Sequence, residues 1–132
     1  MKKVVLDTDI IIDFFRAEIG PFSRLIELQN LHAIELYLSS ITVMELFTGE
    51  SSEKNAAQLE EFIEKFRIVT FDKILARFTG ELRRGRKLNL HFADFIIGST
   101  TLWLGAELAT RNKKHFQEIP GLKFFNSPSQ KS

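Results

Sequence analysis

Hydrophobic positions along the chain switch repeatedly between short unbroken runs and helical spacing. Val4 to Asp7 reads as a short strand covered on both faces, because its aliphatic residues run without a polar break until the acid. Ile10 to Arg16 turns helical, and Gly20-Pro21 opens a second helix through Leu31 with Phe22, Leu25, Ile26 and Leu28 as its inner stripe. Residues 34 to 38 read as a second strand. Thr42 to Thr48 reads as a short helix closed by Gly49, and Ser52 to Lys65 as a longer one with Leu59, Phe62, Ile63 and Phe66 on one side. Arg67 to Phe71 makes a third strand, Asp72 caps a helix running to Lys87, and Phe92 to Leu104 is apolar nearly all round, as expected of a central helix. Glu107 to Thr110 and Leu122 to Phe125 complete the set of strands.

Strands separated by helices, with few hairpin signals, require crossover connections. The expected class is therefore α/β with a mostly parallel sheet. In such sheets ligands bind outside the carboxyl ends of the strands, so chemistry is sought directly after each strand. At 132 residues and 44% hydrophobic content, residues 1–126 are expected to form a single domain, with 127–132 a polar, flexible tail. Thirteen phenylalanines against one tryptophan and one tyrosine imply an aromatic core.

The absence of cysteine excludes disulfides, zinc–thiolate sites and a thiol nucleophile. No apolar run reaches the length of a membrane span, and acids interrupt the MKKVVLDTDIII start where a signal peptide would continue. A soluble, cytoplasmic protein is expected. The net charge of +1 conceals an asymmetry: Glu35 to Glu64 holds seven acids and one base, whereas Lys73 to Lys114 holds nine bases against Glu81, Asp94 and Glu107. The basic half suits an anionic partner, although such a run also makes an ordinary solvated face.

Three acids stand where a strand has just ended or a helix begins. Asp7 closes the first strand. Of its neighbours, Asp9 or Thr8 is the expected cap of the helix starting at Ile10, and Asp13 lies one turn further on. Glu45 sits among Val43, Met44, Leu46 and Phe47. Thr42-Val-Met-Glu45 fits a capping box, yet the same carboxylate would also suit the crevice that holds Asp7. Asp94 opens the apolar helix, where the macrodipole favours an acid. Burying that helix would carry it inward, and Gly98 and Ser99 would let the helix approach a neighbour closely. Three carboxylates at one sheet edge repel and raise one another's pKa unless a cation lies among them. An all-oxygen set without cysteine favours magnesium or manganese. His32, His91 and His115 lack tight metal-ligand spacing.

LDTDIIIDF, ITVMELFTG and ADFIIGSTTLWLGAELATRNKKHF, in that order and spacing, resemble PIN-domain ribonucleases, particularly the VapC-like toxins of toxin–antitoxin modules. The resemblance runs from Val4 to Phe125. It implies a three-layer α/β/α domain whose carboxylates bind one or two divalent metals, with Asp7, Glu45 and Asp94 matching the first three acids and Thr8 the polar residue beside the first. It also implies RNA hydrolysis leaving 5′-phosphate and 3′-hydroxyl ends, transfer RNA as a substrate class, a homodimer, and a VapB-like antitoxin lying across the groove. The chain departs from the pattern at the fourth acid. Asn112 falls where many relatives have Asp, and His115 where many carry an acid before Phe, so the second metal site loses a charge.

Around this centre, Arg83, Arg84, Arg86, Lys87, Arg111, Lys113 and Lys114 are candidate RNA-phosphate contacts. Phe14, Phe15, Phe47 and Phe62 are core candidates that could also meet a partner. Two other functions compete. Asp7-Thr8-Asp9 after a strand is similar to haloacid-dehalogenase-type phosphatases, but Ile-Ile-Ile follows here instead of Gly-Thr, and their Gly-Asp-x-x-x-Asp segment is absent. A PIN-like scaffold that binds RNA or protein without cutting is the other, prompted by Asn112.

Overall fold

A computed structural model describes residues 1–49 and 53–126. Its strands are β1 (Lys2–Leu6), β2 (Ile34–Ser39), β3 (Arg67–Val69) and β4 (Glu107–Ala109), and its helices are α1 (Thr8–Ala17), α2 (Phe22–Asn30), α3 (Ser40–Thr48), α4 (Ala56–Ile63), α5 (Lys73–Arg83), α6 (Phe92–Leu104) and α7 (Lys113–Phe116). The four strands form one sheet in the order β3-β2-β1-β4, and all pairs are parallel. Val4 of β1 lies opposite Leu36 of β2 and Glu107 of β4. The chain builds the sheet in one direction through β2 and β3, then returns to the other side of β1 for β4. The strand order therefore reverses between β1 and β4, which opens a crevice at their carboxyl ends.

Alternation along β1 sends its side chains into two cores, with Val4 and Leu6 on one face and Val5 on the other. The first core is aromatic. Phe14, Phe22, Phe62 and Phe66 from α1, α2, α4 and the turn after it meet with ring centroids 4.7 to 6.1 Å apart, in tilted and edge-on contacts. The second gathers Phe95, Ile97, Leu108, Phe116 and Ile119 around α6. That helix is as central as its all-round hydrophobicity predicts, and its observed ends coincide with the expected ones. A Cβ at Gly98 would stand 2.2 Å from Ile119 Cδ1, so glycine there permits the close approach anticipated from the sequence. Ser99, Thr100 and Thr101 are fully buried, and their hydroxyls donate to helix carbonyls of Ile96 and Ile97 three or four residues back.

Several expected boundaries shift. Helix α1 begins at Thr8, with Asp7 at the N-cap position, so neither Asp9 nor Thr8 caps it. Helix α3 begins at Ser40 because Ser39 Oγ accepts the Ile41 amide at 3.1 Å; Thr42 is thus inside the helix and is not the head of a capping box. Asp72 does cap α5, accepting from the Leu75 amide at 2.9 Å, but the helix stops at Arg83 and leaves Arg84, Arg86 and Lys87 beyond its end, where Gly85 takes a positive φ. Strand β3 ends at Val69 since the Phe71 amide turns to Ser40 Oγ at 3.0 Å. The strand expected at 122–125 contracts to one parallel bridge, Leu108 to Phe124, because β4 offers an edge only three residues long. Helix α4 starts at Ala56; Ser52, its expected start, and the tail at 127–132 lie outside the described residues. Among the described residues no helix is long and apolar enough to cross a membrane.

Candidate active site

The crevice between β1 and β4 receives Asp7 directly. Its amide still donates to Ala109 O of the neighbouring strand at 2.9 Å, which anchors the backbone where β1 gives way to α1. Its side chain makes no capping bond to α1. Instead Oδ2 accepts from Thr110 Oγ1 at 2.8 Å, and Thr110 in turn takes the Asn112 amide at 3.0 Å. With Asp7 only 4% exposed, burial lifts its pKa from 3.8 to about 6. The Thr110 hydrogen bond opposes that rise, and the charges of Asp9 and Asp94 add to it.

Thr8 links Asp7's neighbourhood to α3. Its hydroxyl donates to Glu45 Oε1 at 2.7 Å and lies 2.9 Å from Thr42 Oγ1. Since the single Thr8 proton is committed to Glu45, Thr42 is the donor in the second bond. Glu45 therefore projects toward the start of α1, and the capping box with Thr42 does not form.

Asp94 enters from the opposite side of the sheet, in the first turn of α6. Its Oδ2 meets His115 Nε2 at 2.9 Å. The structure thus connects Asp7 to Asp94 by electrostatic repulsion and to Glu45 through the adjacent Thr8. Among the described residues no three carboxylate or imidazole groups are drawn together as a ready metal cage. The chemistry of the donors nonetheless fits a hard divalent cation, because a buried Asp7 repelled by the part-buried Asp94, in an all-oxygen set, is what such an ion relieves.

Other expected site residues fall elsewhere. Asn112 is exposed at the N-cap position of α7, with no side-chain capping bond, while His115, one turn on, is the residue that reaches an acid. Arg111 pairs with Asp13 at 2.7 Å, and Lys113 bonds Asn126. Arg83 lays its guanidinium over the rings of Phe92 and Phe95 at 5.8 and 5.4 Å. Arg84, Arg86, Lys87 and Lys114 are exposed. Of the phenylalanines considered for partner contact, Phe62 is core and Phe14 and Phe47 pack against it, whereas Phe15 is 46% exposed. Phe15 lines a groove of about 390 Å³ with Ile12, Arg16, Leu46 and Leu59, and Glu45 stands on its wall. Thr42 and Thr110 were not anticipated. The pairing of Leu6 with Ala109 places Thr110 next to Asp7, but that register is invisible until the strand order is known.

Comparison with known proteins agrees with this fold. The PIN domain family model matches residues 4–122. The chain is 33% identical to Ribonuclease VapC1 of Methanocaldococcus jannaschii over 95% of its own length and 88% of the relative's. It is 30% identical to the tRNA(fMet)-specific endonuclease VapC of Shigella flexneri, covering 93% and 96%. Among solved structures it is similar to VapBC2 from Rickettsia felis bound to a DNA fragment from their promoter, with a TM-score of 0.79 at 26% identity and coverage of 95% of this chain and 98% of that one. It is also similar to DNA-bound VapBC from Salmonella typhimurium, with a TM-score of 0.77, 26% identity and coverage of 95% and 98%. With its three-layer architecture and all-parallel four-stranded sheet, the chain belongs to the PIN-domain family, among the VapC ribonucleases.

Proposed function

We propose that this VapC-type ribonuclease, the toxin component of a toxin–antitoxin module, hydrolyses RNA with a divalent cation, magnesium or manganese, held by Asp7, Glu45 and Asp94. The observation that carries the reading is Asp7: a buried carboxylate at the strand-order reversal, its pKa raised, coupled to Asp94 and tied through Thr8 to Glu45. When bound, the cation polarises the phosphoryl oxygen and eases attack by water on an otherwise like-charged phosphodiester. Thr110 engages Asp7 Oδ2 and leaves Oδ1 for binding, and Thr8 orients the Glu45 carboxylate in the same manner. The water oxygen attacks phosphorus in line, the 3′-oxygen leaves, and the products are a 5′-phosphate and a 3′-hydroxyl. No covalent enzyme intermediate forms.

The exposed Arg84, Lys87 and Lys114 supply the RNA-phosphate contacts in this reading. Arg83, Arg111 and Lys113, already engaged within the chain, and Arg86, which donates to Leu82 O, shape the surface and contribute less. Transfer RNA is the favoured substrate class, supported by the tRNA(fMet) specificity in the name of the Shigella relative. A VapB-like antitoxin is the partner, supported by the VapBC complexes among the similar structures, and a homodimer is the proposed assembly. The test is cleavage of a transfer RNA pool and a structured RNA panel with magnesium or manganese. Wild type is expected to cut, and folded Asp7→Asn and Asp94→Asn to lose cutting. RNA binding by all three without metal-dependent cleavage by any would select a non-cleaving scaffold instead.

A further inference from the structure

The Asp94 end of the site contains an imidazole that the mechanism above leaves unused. His115 Nε2 is 2.9 Å from Asp94 Oδ2, and because an ionised carboxylate only accepts, the imidazole donates. The ring is braced. Its residue stands in α7, the His115 amide bonds Asn112 O at 3.1 Å, and the ring meets Phe116 edge-on at 5.4 Å and 83°. Phe116 is itself buried in the core around α6. Among the described residues His115 is the hydrogen-bond partner of the Asp94 carboxylate, and it engages Oδ2 alone. The contact also joins α6 to α7, two elements separated by β4 in the chain.

Resting on the metal-site reading, we infer that His115 is a positioning residue: by donating to Asp94 Oδ2 it orients that carboxylate so that Oδ1 is presented to the divalent cation, without itself becoming a ligand. An acid at this place would repel Asp94 and add charge to a crevice where Asp7 already resists ionisation. An imidazole N–H holds the carboxylate instead. Thr110 on Asp7 and Thr8 on Glu45 perform the corresponding service, so each of the three acids has one oxygen held by a side-chain donor distant in the chain.

The experiment is a titration of the full chain with Mn²⁺ alone, read by electron paramagnetic resonance of the free ion. Pulsed measurement of nitrogen coupling to the bound ion and thermal melting without metal accompany it. Wild type, His115→Ala, His115→Gln and Asp7→Asn are compared. His115→Ala is expected to weaken Mn²⁺ binding about tenfold or more, and His115→Gln, whose amide N–H replaces the Nε2 donor, to restore it to within about threefold. No directly bound nitrogen is expected in any of them. Unchanged Mn²⁺ affinity in His115→Ala, even with a lowered melting temperature, would reduce the contact to helix packing and overturn the inference. Direct nitrogen coupling lost in His115→Ala would make the residue a ligand and overturn it as well. Failure of wild type to bind Mn²⁺ any better than Asp7→Asn would instead remove the metal site itself, a result distinct from a defect confined to His115.

Discussion

On one face of the sheet the rings of Phe14, Phe15, Phe22, Phe62 and Phe66 interlock, whereas on the other α6 buries Gly98, Ser99, Thr100 and Thr101. The first face is filled by volume. The second is filled by close approach, with the Thr100 and Thr101 hydroxyls returned to their own helix and Ser99 Oγ 2.7 Å from Thr79 Oγ1 of α5, so that none of these hydroxyls is stranded. The same division runs through the site. Glu45 arrives from the aromatic side on α3, Asp94 from the hydroxyl side on α6, and Asp7 lies at the sheet end between them. In the proposed site each face thus contributes one carboxylate, and Asp7, at the sheet end, feels the charge of Asp94 directly and meets Glu45 through Thr8.

The comparison breaks first at the aromatic face. Phe62→Ala should cost about 3–5 kcal/mol in chemical denaturation, since a nearly buried ring touching Phe15, Phe22 and Phe66 leaves a cavity that no neighbour can fill. Next comes the acid between the faces. Asp7→Asn should lower RNA cleavage by about 10²–10³-fold, a loss of about 3–4 kcal/mol in transition-state stabilisation. The same change should stabilise the fold. Because the folded pKa is raised from 3.8 to about 6, the native state holds the proton more tightly than the unfolded one, so the stability that protonated Asp7 contributes is complete below 3.8 and is lost as pH rises through 6. Without added divalent metal, Asp7→Asn should therefore exceed wild type by on the order of 2–3 kcal/mol at pH 7 and converge with it near pH 3.5, as read by urea denaturation across pH.

Smaller effects sharpen the contrast. Thr8→Val removes the donor to Glu45 and the acceptor for Thr42 together, so a loss of about 1–3 kcal/mol in stability is expected, accompanied by reduced cleavage. Thr100→Val, on the hydroxyl face, deletes a hydroxyl that among the described residues bonds back to Ile96 O of its own helix, so it should change stability by less than about 1 kcal/mol. Equal costs for these two threonines would show that the hydroxyls on α6 carry more than local satisfaction.

Much of the fold was legible along the chain because burial and periodicity are local properties. Val4 to Leu6 announces a strand covered on both faces, and Phe92 to Leu104 marks the central helix with both ends correct. Asp7 stood out because an acid directly after a buried strand falls where α/β crevices open. The capping assignments were less legible, since several oxygen-bearing side chains competed for each helix start. Ser39 displaced Thr42 at α3, and the N-cap position of α1 fell to Asp7, whose side chain accepts from Thr110 and makes no N-cap bond. The stretch 122–125 has a strand's composition but meets an edge too short to extend it.

Which segments alternate as strand and helix, that the sheet is mostly parallel, and which three acids follow its elements could be read along the chain. What each acid touches emerged only from the folded arrangement. Thr110 reaches Asp7 across 103 positions, Thr8 reaches Glu45 across 37, and His115 reaches Asp94 across 21. Hydrogen bonds act over about 3 Å, and chain separation says nothing about that distance until strand order and register bring the partners together.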